Sequence, residues 1–105
     1  MRRGTTPTLI FTTPYEAEII EGGFITFSQR GTIVADIPLS DENVTVADNS
    51  ISVSLTQAQT LAFDASVNPA IALAQIRLLM TTGKATASNV VEIPVCMILK
   101  DGEIS

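Results

Sequence analysis

The sequence predicts an all-β fold, a sandwich of short antiparallel strands, and three observations support this prediction. Short runs of alternating apolar and polar residues recur along the chain, as in ISVSL at residues 51–55. Gly, Pro, Asn and Asp residues that favour turns separate these runs about every 8 to 12 residues. No segment sustains the roughly 3.6-residue period of an amphipathic helix. Together these patterns favour about seven strands in two packed sheets.

The N-terminal part of the chain predicts one strand and an irregular connection. Residues 8–12 form the strand, which ends before Pro14 because proline cannot donate a hydrogen bond to a ladder. Residues 15–20 fit either a second short strand or a helical turn, and we favour an irregular or short helical segment. Gly22 and Gly23 then predict a flexible corner.

A first hairpin is predicted from residues 24–30 and 32–37, with Gly31 in the turn. Pro38 either ends the second strand or confines it to a sheet edge. Alternation predicts one inward-facing set on the two strands: Ile25, Phe27, Ile33, Ala35 and Ile37.

A second hairpin is predicted from residues 44–47 and 51–55, joined through Asp48, Asn49 and Ser50. Asp and Asn tolerate the left-handed conformation that a tight turn requires. Alternation directs Thr45, Ser52 and Ser54 towards water. The residues predicted to point into the core are Val44, Val46, Ile51, Val53 and Leu55.

A short helical turn is predicted between Thr56 and Ala62, which interrupts the β pattern. The Thr56 hydroxyl can accept a bond from a backbone N–H while the side chain of Gln59, three residues on, reaches back, which is a capping box. We expect the side chains of Leu61 and Phe63, in and after this turn, to be buried in the core.

The segment Ala70–Met80 is ambiguous between helix and strand because no polar face repeats along it. Gln75 and Arg77, separated by one residue, favour a strand. Its inward residues would be Ala74, Ile76, Leu78 and Met80. Residues 82–84 form a turn, residues 85–99 predict a final strand pair interrupted by Pro94, and the chain ends in a polar tail with Gly102.

These elements predict a single domain over residues 1–105, and an immunoglobulin-like topology fits them best. The chain has no Trp and one Cys, so the Trp and disulfide of antibody domains are absent and only the general architecture carries over. The predicted core contains Ile25, Phe27, Ile33, Ile51, Val53, Leu55, Leu61, Phe63, Ile76 and Leu78.

Charge and composition limit the kinds of partner. Charged residues make up 16% of the chain, against about 25% in an average globular domain, so Thr, Ser, Asn and Gln must cover much of the surface. The net charge of -5 makes nucleic acid a poor partner. Arg2 and Arg3 could touch an acidic partner, but a frayed, solvated terminus is the simpler interpretation. No signal peptide is recognised, and the apolar runs are shorter than the roughly 20 residues that a transmembrane helix needs.

The residue inventory argues against an enzyme. No His is present, which removes the usual general base, the commonest metal ligand, and both Ser/His/Asp and Cys/His catalysis. Cys96 lies in a largely apolar stretch, so we expect a buried structural thiol rather than a nucleophile. No cofactor-binding motif is present, and we expect no catalytic, cofactor or metal site.

Two weaker hypotheses use the acidic residues. The carboxylates of Asp36, Asp41, Glu42 and Asp48 could flank a substrate as acid and base, although the single Tyr and absent Trp make sugar hydrolysis unattractive. Calcium could bind the oxygens of Asp41, Glu42, Asn43, Asp48 and Asn49, but their spacing is not that of an EF-hand. As ordinary turn formers these residues need no ligand. The glycosylation sequon at residues 43–45 carries no weight without a secretory signal.

Four segments resemble small uncharacterised proteins encoded in phage-like regions of gut Firmicutes: MRRGTTPTLIF, LTQAQTLAF, AQIRLLM and ILKDGEI. The resemblance spans nearly the whole chain and transfers no catalytic residue. It implies a virion-type or prophage-encoded β-sandwich, a tail, baseplate or head-decoration component, made in the cytoplasm and assembled into a virion. We therefore expect a structural protein that associates with itself or with other virion proteins, without nucleic acid or membrane. The alternative is a small carbohydrate- or peptide-binding module.

Overall fold

The computed structural model of the chain describes residues 1–66, 70–88, 90–96 and 102. These residues form a mostly β structure, which confirms the predicted all-β class. Its helical parts are a 3₁₀ turn at Ala17–Ile19 and the helix α1 at Gln57–Leu61. Its strands are β1 (Thr8–Thr12), β2 (Ile20–Gln29), β3 (Thr32–Pro38), β4 (Val44–Ala47), β5 (Ser50–Ser54), β6 (Ala70–Met80), β7 (Ala85–Ala87) and β8 (Val91–Val95).

The strands form two antiparallel sheets. The three-stranded sheet has the order β1-β5-β4. The five-stranded sheet has the order β3-β2-β6-β7, and β8 also pairs with β6. The inward side chains of the two sheets form one hydrophobic cluster, in which the rings of Phe27 and Phe63 meet edge to face with centroids 5.8 Å apart. All of the predicted core residues except Ile33 and Leu61 are buried in this cluster.

The prediction for Ile33 is wrong, and a β-bulge explains why. Phe27 pairs with Ala35, but the next residue, Ser28, pairs with Ile33, so Val34 is an extra residue in β3. Val34 packs against the core in place of Ile33. The side chain of Ile33 is 63% exposed on the outer side of the sheet.

Gly22 and Gly23 do not form the predicted corner, because β2 runs through both of them. The strand pairs with β6 along this stretch, with a bulge between Ile20 and Gly22. A Cβ atom at Gly23 would clash with the backbone carbonyl of Arg77, whereas a Cβ atom at Gly22 would meet nothing within 4 Å. Gly23 therefore allows a close approach of backbone to backbone rather than a turn.

The predicted helical turn is confirmed at α1. The backbone N–H of Gln59 donates to the Thr56 hydroxyl at 3.1 Å, and the backbone N–H of Thr56 donates to Oε1 of Gln59 at 2.8 Å. The expectation for Leu61 is wrong, because its side chain is only partly buried. Thr60 is fully buried instead, and its hydroxyl donates to the carbonyl of Thr5 at 2.8 Å.

Three further elements agree with their predictions. The 3₁₀ turn lies inside residues 15–20, where the sequence predicts an irregular or short helical segment. Ala70–Met80 is a strand, with Ala74, Ile76, Leu78 and Met80 buried. Both hairpin turns contain left-handed residues, at Arg30 and Gly31 in the first and at Asn49 in the second.

The end of the chain differs from its prediction in its pairing. The strands β7 and β8 are not paired with each other, since both pair with β6, at Arg77–Leu79 and at Ala70–Ala74. Pro94 lies within β8, opposite Ile71, rather than interrupting the pair. The rest of the predicted last strand, residues 97–99, and most of the polar tail lie outside the described residues.

The N-terminus is not frayed, contrary to the expectation for Arg2 and Arg3. Arg2 forms a parallel bridge with Cys96, after the end of β8. The Arg3 guanidinium donates to the carbonyls of Phe63 at 2.6 Å and Leu61 at 2.8 Å. These carbonyls lie at and just beyond the C-terminal end of α1, where backbone acceptors lack partners within the helix. The first residues therefore tie α1 to the five-stranded sheet.

Candidate interaction surface

The acidic residues proposed as an acid–base or calcium site are not brought together. Residues 41–43 precede β4, whereas Asp48 and Asn49 follow it, so the two groups lie at opposite ends of that strand. Asp36 lies on β3, where its carboxylate accepts a bond from the Thr26 hydroxyl at 2.7 Å. Within the described residues, no group of three or more His, Cys, Asp or Glu side chains is arranged to hold a metal ion.

Three of these polar side chains bond to backbone groups in turns. Asp41 accepts from the backbone N–H of Asn43 at 2.9 Å. Asp48 accepts from the backbone N–H of Ala17 at 2.9 Å, at the start of the 3₁₀ turn. The Asn49 amide donates to the carbonyl of Thr13 at 3.1 Å. These bonds account for the residues as turn formers.

The prediction of a buried thiol at Cys96 is wrong, because this residue is exposed. Ile93 and Val95 on β8 face the core, so the alternation of the strand turns Cys96 outward. The apolar character of its neighbours in sequence predicted burial, but the period of two decides which side chains are buried.

Asp64 is the described titratable group with a shifted pKa. A hydrogen bond from the Ser66 side chain, a second from its backbone and the charge of Arg30 all favour the carboxylate and lower the pKa of Asp64 below its usual value. The Arg30 guanidinium lies 3.1 Å from this carboxylate. The buried Gln29 exchanges two hydrogen bonds with the Asp64 backbone, at 2.7 and 2.9 Å. This arrangement joins β2 to the segment after α1.

An open depression of about 510 Å³ lies at one end of the sheets. Gly22, Gly23 and Phe24 line one side, and Pro38 and Leu39 line another. Phe24 is its one aromatic side chain, and most of its lining is apolar or backbone. Glu21 and Ser40 are the polar side chains among its lining residues, so this depression offers a carbohydrate few hydrogen-bonding side chains and a single ring.

The outer face of the three-stranded sheet is covered by hydroxyl groups. Facing outward at paired positions are Thr8, Thr12, Thr45, Ser50, Ser52 and Ser54. The hydroxyls of Thr8 and Ser54 lie 2.9 Å apart across the strands. Ile10 is the one large apolar side chain on this face, and it is 70% exposed.

The outer face of the five-stranded sheet is different, because large apolar side chains lie across it. Their exposed fractions range from 40% to 63%. Cross-strand pairing places them on one side of the sheet, where the paired charged residues are Asp36, Arg77 and Glu92. We call this surface the apolar face, and its members are Phe24, Ile33, Ile71, Leu73 and Leu79.

Strand β1 provides a second exposed feature, a free edge. Among the strands that the structure describes, β1 is the terminal one of its sheet and is bonded to β5 on one side. The pairs that flank it are Pro7 with Leu55 and Thr13 with Asn49, whose backbones are hydrogen-bonded. Because hydrogen-bonded pairs alternate along an antiparallel ladder, the odd-numbered residues of β1 form the backbone bonds to β5. The backbone N–H and C=O groups of Thr8, Ile10 and Thr12 therefore point away from β5.

Comparison with known proteins gives no relative: no family model, no curated protein and no solved structure matches the chain. Among the described residues, no helix has the length and apolar character needed to span a membrane. The surfaces themselves therefore provide the functional argument.

Proposed function

We propose that the protein is a non-enzymatic structural component of a phage or prophage virion, in the tail, baseplate or head-decoration class. It works through contacts between sheet surfaces, with further copies of itself or with other virion proteins. The observation that supports this function is the apolar face, where five large side chains are exposed on one side of a sheet. Apolar patches with few charges are typical of surfaces that become buried in protein contacts.

The fold in this proposal is an immunoglobulin-like sandwich, and the strand order supports it. In immunoglobulin domains one sheet contains strands B, E and D in that order, and the other contains C, F and G, extended by C′ in variable-type domains. The order β1-β5-β4 corresponds to B-E-D, and β3-β2-β6-β7 corresponds to C′-C-F-G. Among the described strands, none lies beside β1 at the place that strand A takes in this scheme.

Light scattering after size-exclusion chromatography, over a range of concentrations, tests the association. We expect the purified chain to be larger than a monomer, and Leu73→Asp to shift it towards the monomer, because a carboxylate on the apolar face must lose its hydration in the contact. The matched control is Ser52→Asp, which places the same charge on the central strand of the other sheet and should leave the assembly unchanged. If both variants behave alike, the apolar face is not the contact.

A second measurement addresses contacts with other virion proteins. If the intact chain is monomeric at high micromolar concentration, self-association is wrong and the contact must be heteromeric. Particles purified from a producing culture should then contain the chain in a fixed ratio to the other virion proteins, as mass spectrometry can measure. Particles without it contradict the virion assignment. The alternative of a carbohydrate- or peptide-binding module requires saturable binding of a glycan or peptide by a monomer.

A further inference from the structure

The free edge of β1 differs from the other described sheet edges in having no protection against pairing. Edge strands are usually protected by charges, prolines, bulges or short length. The edge strand β3 has a bulge at Val34, the charged Asp36 and a terminal Pro38. In contrast, β1 has five residues, TLIFT, without a charge, a proline or a register shift against β5.

The remaining edges are shorter or interrupted. Strand β4 has four residues, and β7 has three. Strand β8 contains Glu92 and Pro94, and Arg2 forms a bridge immediately after its end. An incoming strand would therefore find the longest unprotected row of backbone donors and acceptors at β1.

The sequence of β1 is complementary to itself when read antiparallel. A two-fold axis at Ile10 would place Ile10 opposite its copy, Thr8 opposite Thr12, and Leu9 opposite Phe11. These pairs match threonine with threonine, isoleucine with isoleucine, and leucine with phenylalanine, so that polar and apolar side chains each meet their own kind. Because Thr8, Ile10 and Thr12 already direct their backbone groups outward, these three pairs would exchange about six hydrogen bonds.

The groove beside β1 fits this occupant. A depression of about 430 Å³ runs along residues 9–12 and is lined on its other side by Ile76, Val91 and Ile93. Leu9 and Phe11 are only half-buried at its rim. A second β1 strand would bring its own Leu9 and Phe11 over the rim, so each copy would cover apolar surface that the other exposes.

We propose that the partner of the β1 edge is a second copy of this chain, joined antiparallel about Ile10 to give a continuous six-stranded sheet, β4-β5-β1 followed by its two-fold copy. The contact is isologous, so it closes as a dimer. This inference rests on the proposed function, since it specifies one contact of a self-associating protein.

Cysteine cross-linking in a Cys96→Ser background tests the register. A hydrogen-bonded antiparallel pair has Cα atoms about 5.5 Å apart, within the range of a disulfide. Ile10→Cys should therefore form a covalent dimer under mild oxidation. Thr8→Cys or Thr12→Cys alone should not, because each residue lies about 14 Å from its own copy along the strand. A mixture of the Thr8→Cys and Thr12→Cys chains should cross-link, with at least roughly tenfold more dimer than either chain alone.

The control is Thr45→Cys, on the edge strand β4 and also facing outward, which should give no covalent dimer under the same oxidation. Ile10→Lys, in the chain without added cysteines, should lower the molar mass measured by light scattering, because a charge blocks edge pairing at β1 while the apolar face is unchanged. Dimer from Thr8→Cys alone, or none from Ile10→Cys in a chain that light scattering shows to be associated, overturns the β1 contact and leaves the proposed function standing. A chain that is monomeric in every measurement overturns both the contact and self-association.

Discussion

The two sheets share one core, but their outer faces differ in chemistry. In the three-stranded sheet, β5 alternates buried Ile51 and Val53 with the hydroxyls of Ser50, Ser52 and Ser54. In the five-stranded sheet, β6 has apolar residues on both sides, because Ile71, Leu73 and Leu79 alternate with buried residues and are themselves exposed. A strand that reads as nearly continuous apolar sequence is typical of burial on both faces. The difference between the two outer faces is the observation on which the proposed contact through the apolar face rests.

The largest expected effect tests whether the two sheets form one cooperative unit. Phe63→Ala removes a ring that is 1% exposed and packs against Phe27, so we expect a loss of roughly 3 to 5 kcal/mol in the free energy of unfolding. Phe24→Ala is the matched control, since this ring is 49% exposed on the apolar face and its loss should cost less than about 1 kcal/mol in the monomer.

Denaturant unfolding followed by circular dichroism measures both values. A single transition for the wild type and for Phe63→Ala supports one core beneath both sheets. Separate transitions, or a midpoint unchanged by Phe63→Ala, would show that the two sheets do not share one cooperative core. Their outer faces would then belong to two units that unfold independently.

The next effect tests the pairing that places the apolar face. Gly23→Ala should lower the free energy of unfolding by more than about 1 kcal/mol, because the new Cβ would clash with the carbonyl of Arg77 and push β2 away from β6. Gly22→Ala, one residue earlier in the open, should be neutral or stabilising by up to about 1 kcal/mol. Equal losses from the two substitutions, measured by thermal or denaturant unfolding, contradict the register that aligns Phe24 with Arg77.

Alternation in the sequence predicted which side chains face the core where the pairing is regular. The hairpin of β4 and β5 shows this, since Ile51 and Val53 are buried while Thr45 is exposed. The same rule was wrong at Ile33, because Val34 is an extra residue in the same strand and reverses the faces beyond the bulge. Nothing in the residues around Val34 indicates a bulge, because its position depends on pairing between strands.

The role of Gly22 and Gly23 and the position of the interaction surfaces both depend on strand pairing, which the sequence does not show directly. Glycine allows both a turn and a close approach between backbones, and only the position of the Arg77 carbonyl decides between these roles at Gly23. The apolar face could not be predicted because Phe24, Ile33 and Leu73 lie on three different strands and become neighbours only through pairing. The free edge at β1 depends on which strands lie beside it, although a short uncharged strand near the N-terminus is a sequence feature that could have indicated it.

The smallest expected effect concerns the connection between the sheets, at the capping box before α1. Thr56→Ala removes the hydroxyl acceptor of the Gln59 backbone N–H, so we expect a loss of about 1 kcal/mol in the free energy of unfolding. Thr56→Ser keeps the oxygen and should be nearly neutral. Denaturant unfolding of the two variants beside the wild type measures the difference. If alanine and serine have the same effect, the hydroxyl does not stabilise the turn. If the alanine variant also changes the oligomeric state, the turn affects how the two sheets are placed relative to each other, because Thr56 itself lies on neither outer face.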